Sequence, residues 1–78
     1  MTYRVYGYTG CIWCDKAKEF LGDVGENFVF VPLETAEERE AFLDERGIEA
    51  PNRTWPRVYE DDKLVGGYRQ LLEKFMPV

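Results

Sequence analysis

Two cysteines, Cys11 and Cys14, lie three residues apart at a point where one sequence pattern gives way to another. Before them, residues 2–8 are rich in strand formers, and Thr9 and Gly10 break the run. After them, Trp13, Ala17, Phe20, Leu21 and Val24 recur at spacings of three and four, as on one face of a helix. Gly22 and Gly25 are expected to end that helix. Any fold for this chain must therefore bring a strand end, a pair of thiols and a helix start to one spot.

The remaining elements follow from patterning. Phe28 to Val31 is a short apolar run between Asn27 and Pro32, which predicts a buried strand. Thr35 followed by Glu38 is a capping box for a second helix. That helix carries Ala36, Ala41, Phe42 and Leu43 among charges and stops at Gly47. Residues 49–56 contain two prolines and read as a loop. Arg57–Glu60 and Lys63–Gly66 flank Asp61-Asp62 as a hairpin, and Tyr68, Leu71, Leu72 and Phe75 share one face of a third helix. The order is β-α-β-α-β-β-α. A first β-α-β unit is expected to be parallel and right-handed, and the hairpin adds antiparallel strands. The fold class is thus α/β, a four-stranded mixed sheet with three helices on its two faces.

A chain of 78 residues supports a single domain, residues 1–78. Folding at this size buries only about 60% of the unfolded surface, so the stability margin is thin. Hydrophobic residues at 45% and aromatics at 15% suffice for one core and argue against disorder. The formal charge of −5 comes with no run of Lys or Arg, so nucleic acid is not an expected partner. No apolar stretch approaches the roughly 18 residues of a membrane span, and Met-Thr-Tyr-Arg does not open a signal peptide. The expected setting is cytoplasmic, without a membrane partner.

In a reducing compartment a cysteine pair is rarely a staple, and a bridge this short supplies only roughly 2 kcal/mol. Zinc normally takes four Cys or His ligands, and this chain has two Cys and no His, so no metal is expected. A reversible dithiol is the favoured reading; two inert core cysteines, or a zinc site shared across a dimer, are the alternatives. The dipole and free N–H groups at a helix start favour an anion, which assigns Cys11 as thiolate nucleophile. Cys14, one turn on, is the more buried resolving thiol. The carboxylate of Asp15 beside it opposes thiolate formation.

Three separated segments resemble one family. Tyr6-Gly7-Tyr8-Thr9-Gly10-Cys11-Ile12-Trp13-Cys14-Asp15-Lys16-Ala17-Lys18 is similar to the active-site strand and first helix of glutaredoxins. Arg53-Thr54-Trp55-Pro56 resembles that family's Thr-x-Pro loop, and Gly66-Gly67-Tyr68 its Gly-Gly turn before the last helix. The short length and the Val-Tyr-Gly-Tyr start look most like phage-encoded members, which donate electrons to ribonucleotide reductase.

The resemblance implies a thioredoxin fold and a glutathione-linked thiol–disulfide oxidoreductase that reduces protein disulfides, acting as a monomer. It implies a cis Pro56, with the backbone of Trp55 turned outward to pair with an extended substrate. It also implies glutathione contacts from Tyr8, Trp13, Arg53, Thr54, Trp55, Pro56, Gly67 and Tyr68. The γ-glutamyl carboxylate would go to the helix start after Gly67, and the other carboxylate to Arg53. Departures are Tyr8 where many members have Lys, Ile12 where many have Pro, and Arg69-Gln70 where acidic residues are common. They keep two alternatives in view: a thioredoxin-like donor reduced by a flavoprotein reductase, and a dimer holding a [2Fe–2S] cluster through Cys11 and glutathione.

Overall fold

Side chains alternate across a strand, and Tyr3, Val5 and Gly7 all fall on a face that is buried. A computed structural model describes residues 2–49 and 53–76 and builds its core on that face. Ala50, Pro51 and Asn52 of the expected loop, and the extreme ends of the expected 1–78 domain, lie outside the described residues. The elements run β1 (Tyr3–Gly7), α1 (Ile12–Asp23), β2 (Phe28–Pro32), α2 (Ala36–Glu45), β3 (Arg57–Glu60), β4 (Lys63–Gly66) and α3 (Tyr68–Phe75), in the expected order. The sheet is ordered β2-β1-β3-β4. β1 pairs with β2 in parallel and with β3 antiparallel, and β3 pairs antiparallel with β4.

Tyr3, Val5 and Val58 from the sheet meet Ala17 and Leu21 of α1 and Leu71 of α3 in one cluster. Phe20, Phe30, Tyr68 and Phe75 pack around it. α2 takes the opposite face. Its Phe42 lies 4.5 Å from Tyr6 and 6.4 Å from Tyr59, ring centre to ring centre. The Arg46 guanidinium stacks over the same three rings. Long side chains thus seat α2 on the sheet.

Local signals set the helix ends. Thr35 Oγ1 accepts the Glu38 N–H at 3.1 Å while Glu38 reaches back to the Thr35 N–H, the capping box expected there. α1 runs through Gly22 and turns off at Gly25, whose φ of +75° lets its N–H return to Gly22 O and that of Glu26 to Leu21 O. α2 ends the same way at Gly47. Two residues that share the helical repeat, Trp13 and Val24, are exposed, while Cys14 is buried against Gly7 of β1.

Tyr3 crosses the base of the core to donate its hydroxyl to Glu60 Oε2 at 3.3 Å, and Lys74 pairs with Glu60 Oε1 at 2.9 Å. Burial, then the charge of Glu60, pushes the Tyr3 pKa up from 10.0 to about 12. The unfolded chain ionises first, so this contribution is complete below pH 10 and is lost as pH rises toward about 12. Urea denaturation between these pH values should show falling stability in wild type and a shallower fall in Tyr3→Phe. Equal slopes would remove Tyr3 as the cause.

Candidate active site

β1 ends at Gly7, Thr9 and Gly10 form a turn, and the Cys11 N–H closes it on Tyr8 O at 3.3 Å. Cys11 is the N-cap of α1, in extended conformation at φ −80° and ψ 107°. Its Sγ accepts the Cys14 N–H at 3.2 Å, in the place where a Ser or Asp oxygen usually caps a helix. A thiolate at this position keeps that bond, which favours the charged form. Cys11 and Cys14 are bonded as a disulfide with Cα atoms 5.2 Å apart. Cys11 is 6% exposed and Cys14 is fully buried, so an attacking group reaches Cys11 first. The Cys14 sulfur rests against Gly7, where an added Cβ would overlap it.

A groove of about 280 Å³ is walled on one side by Trp13, which lies between the two cysteines in the chain. Trp13, Thr54, Trp55, Pro56, Gly67 and Tyr68 all line it, so six of the ten expected site residues converge there. The Trp55–Pro56 peptide is cis, as the resemblance implied. Trp13 stacks on Tyr68 with centroids 5.6 Å apart, joining the starts of α1 and α3 into one wall. The Trp55 ring leans on Phe42 at 5.8 Å, so it belongs to the α2 face as well as to the groove.

Tyr8 and Arg53 do not line this groove. Arg53 donates to Glu40 Oε2 at 3.0 Å and Asp44 Oδ1 at 2.8 Å, which ties the loop before Pro56 to α2. The residue expected to meet a glutathione carboxylate is thus engaged by two carboxylates of α2 and stands outside the groove. Tyr8 supplies its carbonyl to the active-site turn, and its ring lies 4.4 Å beneath the Arg39 guanidinium. A cation from α2 thus lies over Tyr8, one of the departures from the resembled pattern. Asp15 pairs with Lys18 at 3.3 Å, which offsets the negative charge expected to oppose the thiolate.

Gly7, Glu34 and Arg39 were not singled out as site residues in the sequence, and Gln70 stood there only as a departure from the resembled pattern. Gly7 lies within the quoted motif, and its role is visible only once Cys14 is packed against it. Glu34 accepts the Thr9 N–H at 2.8 Å across 25 residues and pins the turn before Cys11. Hydrogen bonds from Thr9, then the charge of Arg39, hold its carboxyl below the usual range. Among the described residues no three His, Cys, Asp or Glu side chains gather as metal ligands. No helix among them is long and apolar enough to cross a membrane.

The glutaredoxin family model matches residues 4–65. The chain belongs to the glutaredoxin family. Cys11 and Cys14, at bonding distance, form its CxxC disulfide, and the chain spans about two fifths of the curated relative it matches. The mouse protein "Glutaredoxin-2, mitochondrial" is 29% identical over 63 residues, which are 81% of this chain and 40% of that one. Glutaredoxin 1 from Francisella tularensis, solved with cacodylate, superposes with a TM-score of 0.84 at 25% identity, over 94% of this chain and 90% of that one. A buckwheat glutaredoxin–glutathione complex gives 0.75 at 25% identity, over 92% and 66%. The Escherichia coli glutaredoxin-like protein NrdH-redoxin shares the fold at 0.71 and 20% identity, over 100% and 99%. The four-stranded mixed sheet with three helices is thus the thioredoxin-like fold of this glutaredoxin's relatives.

Gly7→Ala should destabilise the oxidised protein by about 1–3 kcal/mol, the usual cost of overpacking, because neither β1 nor the bonded sulfur can yield cheaply. Urea denaturation measures it, and a change under about 0.5 kcal/mol would mean that the contact relaxes freely. The lowered Glu34 pKa makes its tether complete above about pH 4.5 and lost as pH falls through the folded value. Hydrogen exchange at the Thr9 amide, corrected for intrinsic rate, should therefore accelerate at acid pH in wild type. In Glu34→Ala it should be fast at every pH.

Proposed function

We propose that this protein reduces protein disulfides with electrons from glutathione, as a cytoplasmic monomer. Cys11 thiolate attacks one sulfur of a substrate disulfide, forming a mixed disulfide and releasing the other sulfur as a thiol. Cys14 then attacks Cys11 Sγ, releasing the second substrate thiol and leaving the Cys11–Cys14 disulfide. One glutathione thiolate reopens that bond, and a second leaves with the first as glutathione disulfide, restoring both thiols. Two electrons pass in each cycle, and a potential of about −200 to −230 mV suits exchange with the glutathione pool.

The arrangement at the helix start carries this reading: a slightly exposed Cys11 capping α1, a buried Cys14, and between them in sequence Trp13, a wall of the groove. The groove's Thr54-Trp55 backbone is the place for an extended substrate, by strand addition. Membership of the family and similarity to a glutaredoxin solved with glutathione support glutathione as reductant. Electron donation to ribonucleotide reductase belongs to the same proposal, on the resemblance to short phage-encoded members.

A second reading is a thioredoxin-like donor recharged by a flavoprotein reductase. Arg53 is paired with carboxylates of α2, and Tyr8 stands where the resemblance leads one to expect Lys, which favours a donor less dependent on glutathione. NrdH-redoxin, described by its "thioredoxin-like activity profile", shares the fold over nearly its whole length. Comparing glutathione with thioredoxin reductase as reductants of the oxidised protein separates the two.

Cys11→Ser should abolish reduction of every disulfide. Cys14→Ser should lose protein disulfide reduction and retain reduction of glutathione mixed disulfides, which one thiol can perform. Equal loss of both activities in Cys14→Ser would overturn the glutathione route.

A further inference from the structure

The turn Tyr8–Cys11 delivers the first thiol to α1. Its own hydrogen bond joins the Cys11 N–H to Tyr8 O at 3.3 Å. Gly10, at φ +91°, supplies the positive φ that a type II turn places at its third residue. Thr9, the second residue, takes no part in that bond. Its N–H donates instead to Glu34 Oε1 at 2.8 Å, from a segment 25 residues further along the chain. Because the acceptor is charged, this bond is roughly twice as strong as one between neutral groups.

The same segment holds the residues just before Thr9. Leu33 donates its N–H to Gly7 O at 2.6 Å. Arg39 of α2 donates to Leu33 O at 2.8 Å and lies over the Tyr8 ring at 4.4 Å. Gly7, Tyr8 and Thr9 are thus held in succession, at a carbonyl, a ring and an amide. The grip of Glu34 falls nearest the thiols. Cys11 needs its extended backbone at the N-cap for its sulfur to accept the Cys14 N–H at 3.2 Å. That bond favours the thiolate, so whatever holds the turn also sets how readily Cys11 ionises.

We propose that Glu34 is a positioning residue for the nucleophile: by tethering Thr9 it keeps Cys11 in the N-cap geometry that stabilises the thiolate. It acts through the Thr9 amide and touches no reacting atom. Its charge works the other way, since a nearby carboxylate opposes a second negative charge. The reach of the side chain and its charge therefore have opposite effects on Cys11. The other charged groups on the elements around the site are Asp15 and Lys18, paired on α1, Arg39 of α2 and Arg69 of α3. Of the function proposed above, this requires only that Cys11 be the attacking thiol; either reductant would serve.

The test follows alkylation of the reduced protein by iodoacetamide against pH, which gives the Cys11 pKa, in wild type, Glu34→Asp, Glu34→Gln and Glu34→Ala. Glu34 is exposed on the loop before α2, so none of these substitutions touches the core. Asp keeps the charge and shortens the reach, Gln keeps the reach without the charge, and Ala removes both. Two comparisons thus vary reach at constant charge. Glu34→Asp should lie above wild type, and Glu34→Ala above Glu34→Gln, each by roughly half a unit, the lower part of what one cap hydrogen bond is worth. Unless both pairs separate in that direction, Glu34 does not position the nucleophile. A residue acting by charge alone would lower the pKa equally in Glu34→Gln and Glu34→Ala. One that only stabilises the fold would shift urea denaturation and leave the four values alike. Mass mapping of the alkylated peptide identifies the sulfur. Modification of Cys14 first in wild type overturns Cys11 as nucleophile, and the tether's role with it. Unseparated pairs with Cys11 modified overturn the tether's role alone.

Discussion

The Cys14 sulfur occupies the space that a side chain on Gly7 would fill, and most of the site follows from that contact. It fixes how closely the start of α1 can approach the end of β1. That approach buries Cys14 completely and leaves Cys11 at the rim, as N-cap, with one first-turn N–H on its sulfur. Unequal burial gives two chemically similar thiols different parts in an exchange reaction. The same approach turns Trp13 away from the core and toward Tyr68, so that the helix start also builds a groove wall.

The two faces of the sheet do different work. Beneath α1 and α3 an aliphatic centre of Val5, Ala17, Leu21, Val58 and Leu71, closed to solvent, is bordered by Tyr3, Phe20, Phe30 and Phe75. Beneath α2 it is made of rings and an arginine, Tyr6, Phe42, Tyr59 and Arg46. The ion pairs of Arg53 with Glu40 and Asp44 and the hydrogen bond from Arg39 to Leu33 O then bind α2 to the loops that border the site. Ion pairs this exposed are individually weak, so their effect is on position more than on stability. The chain has thereby spent on its own fold an arginine that family resemblance directs to a ligand, and the Gly67 N–H is likewise bonded within the molecule.

Much of the fold was legible because its signals are local. The Thr35–Glu38 box, the Gly25 and Gly47 stops and the Asp61-Asp62 turn each act within a few residues, and each marks a real boundary. The core face of α1 was legible in part. Ala17 and Leu21 obey the helical repeat, but Trp13 and Val24 share that repeat and lie outside the core. Periodicity gives the face of a helix and not how far along its length a partner extends. Six of the ten expected site residues share the groove, whereas Arg53 is held elsewhere by carboxylates 9 and 13 residues before it.

By itself the sequence determined the order of elements, the dithiol and its place at a helix start, and the family to which these belong. Those depend on residue type and spacing over short distances. Only the tertiary structure decided which sulfur is sealed off, which cation stands over Tyr8, and which carboxylates hold Arg53. Each of these is a competition among groups far apart in sequence, or among rotamers of one side chain, for the same volume or the same N–H. Spacing along the chain does not record which competitor wins. Gly7 shows the difference most plainly: in the sequence it is a residue within a strand, and in the fold it is the room in which Cys14 sits.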